Sequence, residues 1–298
     1  MACVNIPRIA LVTGANQGLG RALVEGLAAR MDSRDLVLLT GRSHRRVTDA
    51  VHEVGRLSGT RARVEGRVLD VTDTDAIARL AEDLRARYGG VDVLLSNAVA
   101  RVLPEESQAE RADEFIDVSN TATHAILRSF GPLLRPGGRL LVVASSLGTL
   151  GHLDPRLHHL FDGASLDQVE YAVESWRGAI HNRTAQEAGW PIWLNVPSKV
   201  AQVAAVRAVA AERRAGDLAD GTLIAAVCPG MVDTATSRPW FSDYSRAQSP
   251  ARAAEAVLDL VLADHVEPAL YGELVRFGKA LDWYDGTPPV EQDRMLTP

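Results

Sequence analysis

The run Thr13-Gly14-Ala15-Asn16-Gln17-Gly18-Leu19-Gly20 is the stretch best suited to holding a charged ligand. It follows a short apolar run and opens a segment of helical period. Gly14 permits a tight turn, Gly18 lets backbone approach a pyrophosphate, and Gly20 lets the helix lie close to the strand. Backbone N–H groups and the positive end of the helix dipole then face phosphate. This order of strand, glycine loop and helix predicts a dinucleotide site. The second candidate strand ends Leu39-Thr40-Gly41-Arg42, with Arg45 and Arg46 behind it. A carboxylate there would bond the ribose hydroxyls of NAD, whereas arginine suits a 2′-phosphate, so NADP(H) is expected. Lys plus Arg number 32, of which only Lys199 and Lys279 are lysines. A chain that uses lysine so sparingly, with much arginine and alanine, points to a GC-rich bacterial genome and draws attention to Lys199.

Those residues need a scaffold. Arg8–Val12, Leu36–Thr40, Val64–Leu69, Val91–Ser96, Arg139–Ala144 and Thr222–Cys228 read as strands. They are near-continuously apolar, as strands buried on both faces are. Leu19–Arg30, Arg45–Leu57, Asp75–Tyr88, Ala112–Leu134 and Lys199–Arg214 read as helices between them, with Thr72 or Asp73 capping the third. Pro136-Gly137-Gly138 ends a helix and turns into the next strand. Repeated βα units predict an α/β, Rossmann-type doubly wound parallel sheet in three αβα layers. No repeat or linker divides the 298 residues, so a single domain over 1–298 is expected. Two excursions leave strand ends where ligands lie: a long insertion at 147–189 and a substrate lid at 231–250.

Composition excludes several classes. The net charge is −6, hydrophobic residues make up 46% and charged residues 23%. That profile is globular and argues against nucleic-acid binding. No apolar run is long enough to span a membrane, and Met1 to Pro7 has no signal-peptide pattern. Cys3 and Cys228 form no metal-binding pattern and no disulfide framework, so no metal and a cytoplasmic location are expected.

The Gly-x-x-x-Gly-x-Gly spacing after Thr13 resembles the short-chain dehydrogenase/reductase family, and the resemblance runs through nearly the whole chain. Asp70-Val71 resembles the family's adenine-contacting pair. Asn97-Ala98 resembles its Asn-Ala-Gly turn, with Val99 in the glycine's place. Asn120 matches the helix asparagine, and Ser146, rather than Ser145, the active-site serine. Pro229-Gly230 follows the sixth strand as in the family, and with Val232 completes the implied cofactor contacts. The monomeric carbonyl reductases are the most similar members: the long interval between Ser146 and Asn195, the stretch Gln186-Glu187-Ala188-Gly189-Trp190-Pro191 and the tail Pro268 to Trp283 all resemble theirs. The resemblance implies a monomer, because in those relatives the insertion covers the surface that otherwise builds tetramers.

One departure is sharp. The family carries Tyr-x-x-x-Lys on one helix, its residues sharing a face. Alignment on Trp190-Pro191 and Ser198-Lys199 makes Lys199 the lysine and puts Asn195 at the tyrosine. In the family the tyrosine, acidified by the lysine, protonates the carbonyl oxygen as hydride reaches carbon. The serine bonds the same oxygen, the lysine holds the nicotinamide ribose, and the asparagine anchors a water relay. An amide donates a hydrogen bond to a developing oxyanion but gives up no proton near neutrality. Losing a general acid costs about 10²–10⁴ in rate.

Four readings follow. Hydride passes to an acceptor already activated, such as an enone, quinone, quinone methide or iminium. Another group donates the proton, with Tyr171, His152, His158, His159 and His181 as candidates in the insertion. The site performs non-redox chemistry: dehydration, isomerisation or cyclisation. Or the chain is a catalytically silent binding protein. The retained Gly14, Gly18, Gly20, Arg42, Asp70, Asn97, Asn120, Ser146 and Lys199 favour an atypical NADP(H)-dependent oxidoreductase acting on a small molecule. Trp176, Trp190 and Trp193 fall in or beside the insertion and Trp240-Phe241 in the lid, and such aromatics suit a flat or polycyclic substrate, of the kind met in specialised (antibiotic) metabolism.

Overall fold

The computed structural model describes residues 6–240 and 242–286; Cys3 and Phe241 lie outside the described residues. Eight strands form one sheet: β1 (Ile9–Val12), β2 (Leu36–Gly41), β3 (Arg63–Val68), β4 (Val91–Ser96), β5 (Leu134–Val143), β6 (Leu223–Cys228), β7 (Leu274–Arg276) and β8 (Lys279–Ala280). Their order is β3-β2-β1-β4-β5-β6-β7-β8. All neighbours pair in parallel except β7 with β8. The central strands β1, β2 and β6 are buried at every residue, which their apolar composition requires of strands covered on both faces. The chain reverses direction across the sheet between β1 and β4, and that is where an open α/β sheet leaves a crevice.

The helices are α1 (Gly18–Arg30), α2 (His44–Gly55), α3 (Thr74–Tyr88), α4 (Gln108–Ile116), α5 (Ala122–Phe130), α6 (Leu166–His181), α7 (Asn195–Ala219) and α8 (Pro250–Val261). α1 packs with α2 and α8, while α3, α5 and α7 pack together as the other layer. Side chains of Ser43, Asp73, Ser107, Ser165 and Ser249 cap five of them. Asp73, rather than Thr72, caps α3, its carboxylate accepting from the Ala76 N–H at 2.8 Å. No described helix is long and apolar enough to cross a membrane.

Several sequence expectations are corrected. The expected helix over Ala112–Leu134 is two helices joined by a π turn, Asp117–Thr121, and followed by a 3-10 turn, Gly131–Leu133. α7 starts at Asn195 and runs to Ala219, beyond the expected Lys199–Arg214. Pro197 is tolerated there because N–H groups of a first turn have no helical partner. β3 is partly exposed rather than buried, because it is the sheet's edge and pairs only with β2. β5 begins at Leu134, not Arg139: Leu134 pairs with Val91, a register shift absorbs Pro136-Gly137-Gly138, and Arg139 resumes opposite Val93. α6, α8, β7 and β8 were not expected. β7 and β8 are joined by Phe277-Gly278, both at positive φ (48° and 77°), the geometry a two-residue hairpin requires.

Candidate active site

At the carboxyl ends of β1 and β4 a hydrogen-bond latch closes the crevice floor. The Thr13 hydroxyl accepts from the backbone N–H groups of Asn97 (2.9 Å) and Ala98 (3.1 Å). The Asn97 amide donates back to the carbonyls of Thr13 (3.0 Å) and Gly14 (3.2 Å). Gly14 has φ +61°, and a Cβ on it would sit 2.8 Å from the Ala98 Cα; one on Gly20 would sit 2.4 Å from the Asn97 amide nitrogen. These two glycines are therefore demanded by the close approach of α1 to β4. No side chain caps the N-terminus of α1 and its first turn holds no acid, so its N–H groups face the loop unspent. Leu19 and Val71 bury their side chains, leaving only their backbone to a ligand. Asn16 lies against the end of β2, its Oδ1 within 2.9 Å of where a Gly41 Cβ would be, and Gln17 is exposed.

Arg42 leaves the end of β2 largely in solvent, with its guanidinium 3.6 Å from the Glu114 carboxylate of α4. Asp70 is exposed, and its carboxylate accepts from the N–H and hydroxyl of Thr72. The loop after β6 begins at Pro229-Gly230, with Gly230 at φ +78°. Gln248 closes this loop's base: its N–H donates to Met231, its carbonyl accepts from Asp233, and it bridges Val232. The same loop carries Thr234 to 3.5 Å from where a Gly18 Cβ would be. The residues at the ends of β1, β2, β4 and β6 fit a phosphorylated dinucleotide: a glycine cradle, uncapped helix donors and a largely exposed arginine.

Lys199 lies one turn into α7 and is 8% exposed. Its Nζ donates to the Val143 carbonyl at the end of β5 (3.3 Å) and to Gln202 Oε1 (2.7 Å). Burial pushes this lysine down to about 8, only partly opposed by the neighbouring Cys228 thiol on β6. Cys228 is buried and free. Ser145 and Ser146 start a 3-10 turn after β5. The Ser145 hydroxyl accepts from the Leu147 N–H and so caps the turn, whereas the half-buried Ser146 hydroxyl bonds no described residue. That turn packs on α7 at Lys199: a Cβ on Gly148 would lie 2.9 Å from the Lys199 carbonyl oxygen. Asn195 is the first residue of α7 and half-buried. Asn120, wholly buried in the π turn, donates from Nδ2 to the Ser198 carbonyl (3.0 Å), and its Oδ1 has no partner. π turns recur at functional sites because they re-aim one side chain from an otherwise regular helix.

Three loops meet through Val102, Trp193 and Trp240. The Trp240 indole donates to the Val102 carbonyl (3.0 Å), and its ring lies 5.8 Å from that of Trp193, two residues before Asn195. Trp190, by contrast, just after the insertion, packs against both Phe161 and Trp176 of the insertion, and both tryptophans are buried. The candidate proton donors of the insertion are not gathered at Lys199. Tyr171 is 75% exposed on α6, His159 is exposed, and His181 pairs with Asp113. His158 Nε2 bonds the Leu153 carbonyl, and His152 bonds Thr149 while burial lowers its pKa. Gln202 and the Val143 carbonyl escaped sequence reasoning; the one signal was a glutamine among valines and alanines. No group of three or more His, Cys, Asp or Glu among the described residues could hold a metal ion.

This arrangement has known counterparts. A family profile described as short chain dehydrogenase matches residues 8–153. Carbonyl reductase (NADPH) 1 of Oryctolagus cuniculus is 31% identical, covering 93% of this chain and 98% of that protein. Carbonyl reductase (NADPH) 3 of Rattus norvegicus is 29% identical over the same shares. Salutaridine reductase from Papaver somniferum shares the fold at a TM-score of 0.75, with 21% identity over 90% of this chain and 99% of that one. Menthone neomenthol reductase from Mentha piperita does so at 0.73, with 22% identity over 92% and 99%. With the β1–β4 latch, the glycine cradle and this near full-length match in agreement, the chain belongs to the short-chain dehydrogenase family of oxidoreductases.

Proposed function

We propose that this protein is an NADP(H)-dependent oxidoreductase whose acceptor is activated before hydride arrives: an enone, quinone, quinone methide or iminium of a flat or polycyclic small molecule. The observation that carries it is an amide, Asn195, at the head of the helix that bears Lys199, in a chain whose α1 N-terminus keeps uncapped donors. The NADPH-named relatives and Arg42 support the choice of dinucleotide.

When bound, NADP(H) supplies the hydride. Gly14, Asn16, Gln17, Gly18, Leu19 and Gly20 hold its pyrophosphate with backbone and the α1 N-terminus, and Arg42 takes the 2′-phosphate. Asp70 and Val71 border the adenine; Asn97, Ala98, Pro229, Gly230 and Val232 border the rest. Lys199 bonds the ribose. Ser146 and Asn195 donate hydrogen bonds to the oxygen that gains charge, and neither donates a proton there. Asn195 thus stands where relatives of this family carry their acidic tyrosine. An unactivated ketone, which needs that proton, is a poor substrate. Segment 231–250 serves as the substrate lid, and the insertion 147–189 leaves the protein a monomer.

Fluorescence titration with NADPH and NADH tests the cofactor half. NADPH binds at least tenfold more tightly, and Arg42→Ala removes most of that preference while leaving NADH unchanged. Equal affinities in the wild type refute the role of Arg42. No binding of either refutes the redox reading and directs attention to a cofactor-free isomerase, dehydratase or cyclase. Rates with NADPH on an enone or quinone against a simple ketone test the acceptor half; faster turnover of the simple ketone overturns it.

A further inference from the structure

From Val200 to Val206 every residue of α7 except Gln202 is valine or alanine. Gln202 is only 3% exposed, and a buried amide is costly unless its polar atoms are bonded. Here they are. Oε1 accepts from Lys199 Nζ at 2.7 Å; Nε2 donates to the Ser119 carbonyl at 2.8 Å and to the Thr123 hydroxyl oxygen at 3.0 Å. Thr123 in turn donates to the Ser119 carbonyl at 2.6 Å. These partners fix which end of the amide is which: an ammonium only donates and a carbonyl only accepts. Ser119 belongs to the π turn, next to Asn120, and Asn120 itself bonds the carbonyl of Ser198, next to Lys199. Two amide side chains therefore tie the Lys199 turn of α7 to the π turn.

We propose that Gln202 is a positioning residue: it holds the Lys199 ammonium as a fixed hydrogen-bond donor against the π turn that carries Asn120. Its relevance to function rests on the reading of Lys199 as part of the cofactor site. A primary amide accepts a hydrogen bond from an ammonium but neither takes up nor passes on its proton near neutrality. The link thus sets where Lys199 points without opening a proton path toward α5. Asn195 has the same limitation. Among Asn120, Ser146, Asn195, Lys199 and Gln202, only Lys199 changes charge in the working range of pH, and the titratable group facing it from β6 is the Cys228 thiol.

The chain's two lysines make the test direct. Protein labelled with ¹³C at lysine Cε is titrated by NMR from about pH 6 to about 11 as wild type, Gln202→Met and Gln202→Glu. Lys279, on the exposed β8, is the internal reference. The Lys199 midpoint falls by about one pH unit in Gln202→Met, which removes an acceptor favouring the charged form, and rises in Gln202→Glu, which puts an opposite charge there. Lys279 stays unmoved in all three. A Lys199 midpoint that is unchanged in both variants, or that moves the same way in both, overturns the proposal. If Gln202→Met does not fold, Gln202→Glu alone decides: no upward shift refutes it. NADPH titration of the same samples separates the two readings. Opposite shifts without NADPH binding uphold the Gln202 link and defeat the cofactor assignment.

Discussion

At the scale of single residues, the proposed reaction turns on Asn195. An amide donates a hydrogen bond to charge on oxygen but does not neutralise it, which is why the proposal takes acceptors that need no proton there. Asn195→Tyr restores an acidic hydroxyl four residues from Lys199, so reduction of a simple ketone by NADPH rises by about 10²–10⁴. A variant that binds NADPH as well as the wild type yet shows no such gain refutes the role given to Asn195. Lys199 carries a second consequence. Burial holds it at about 8, below the ordinary lysine value of 10.5. Below about 8 it is charged in the folded and unfolded chain alike, and the folded state bears the full cost of burying the charge. As pH rises from about 8 toward 10.5 the folded chain sheds the proton while the unfolded chain keeps it, so this group's contribution to stability improves with pH. The stability of Lys199→Met relative to wild type, read from urea midpoints, therefore falls across that window; a relative stability that grows with pH contradicts the burial argument.

At the scale of elements, the glycine-loop end is built by close approach and the Lys199 end by irregularity. Gly20 has no room for a Cβ, which would lie 2.4 Å from the Asn97 amide and 2.5 Å from the Gly14 carbonyl. Gly20→Ala pushes α1 away from β4, costs about 1–3 kcal/mol in thermal unfolding and weakens NADPH binding together with it. A variant with wild-type melting and affinity shows that the latch tolerates displacement. These glycines were legible because a strand followed by a glycine loop and a helix is a local pattern. The π turn at Asp117–Thr121 was not, since one helix with a single-turn defect has the same apolar period as two helices. The three-residue β7 and two-residue β8 were hidden for a similar reason: strands so short contain no alternation to read.

At the scale of the whole molecule, the insertion is a helix laid over neighbours rather than a loose loop. α6 packs on α4 and α7. Arg128 of α5 pairs with Asp167 and Glu170 of α6, and Arg177 of α6 pairs with Asp113 and with Asp117 of the π turn. Partly exposed pairs of this kind contribute little each, but they fix the direction in which α6 lies. With that face occupied, the protein sediments as a monomer at micromolar concentration; a stable dimer or tetramer in analytical ultracentrifugation contradicts the reading of the insertion as a cover.

The sequence alone determined the alternation of strands and helices, the glycine cradle, the arginine after β2 and the Asn195/Lys199 pair, because each is written in residues close along the chain. It misread the ends of β5 and α7, since a register shift and a first-turn proline are settled by what lies opposite and not by local pattern. Only the tertiary structure decided that Trp193 pairs with Trp240 while Trp176 and Trp190 are buried together, and that no histidine of the insertion is gathered at the lysine. It alone brought Gln202, which lies one turn from Lys199 on the same helix, to a π turn about 80 residues earlier in the chain. Such contacts join residues far apart in sequence. A hydrogen bond across that distance depends on how helices pack, and packing leaves almost no mark on the order of neighbouring residues.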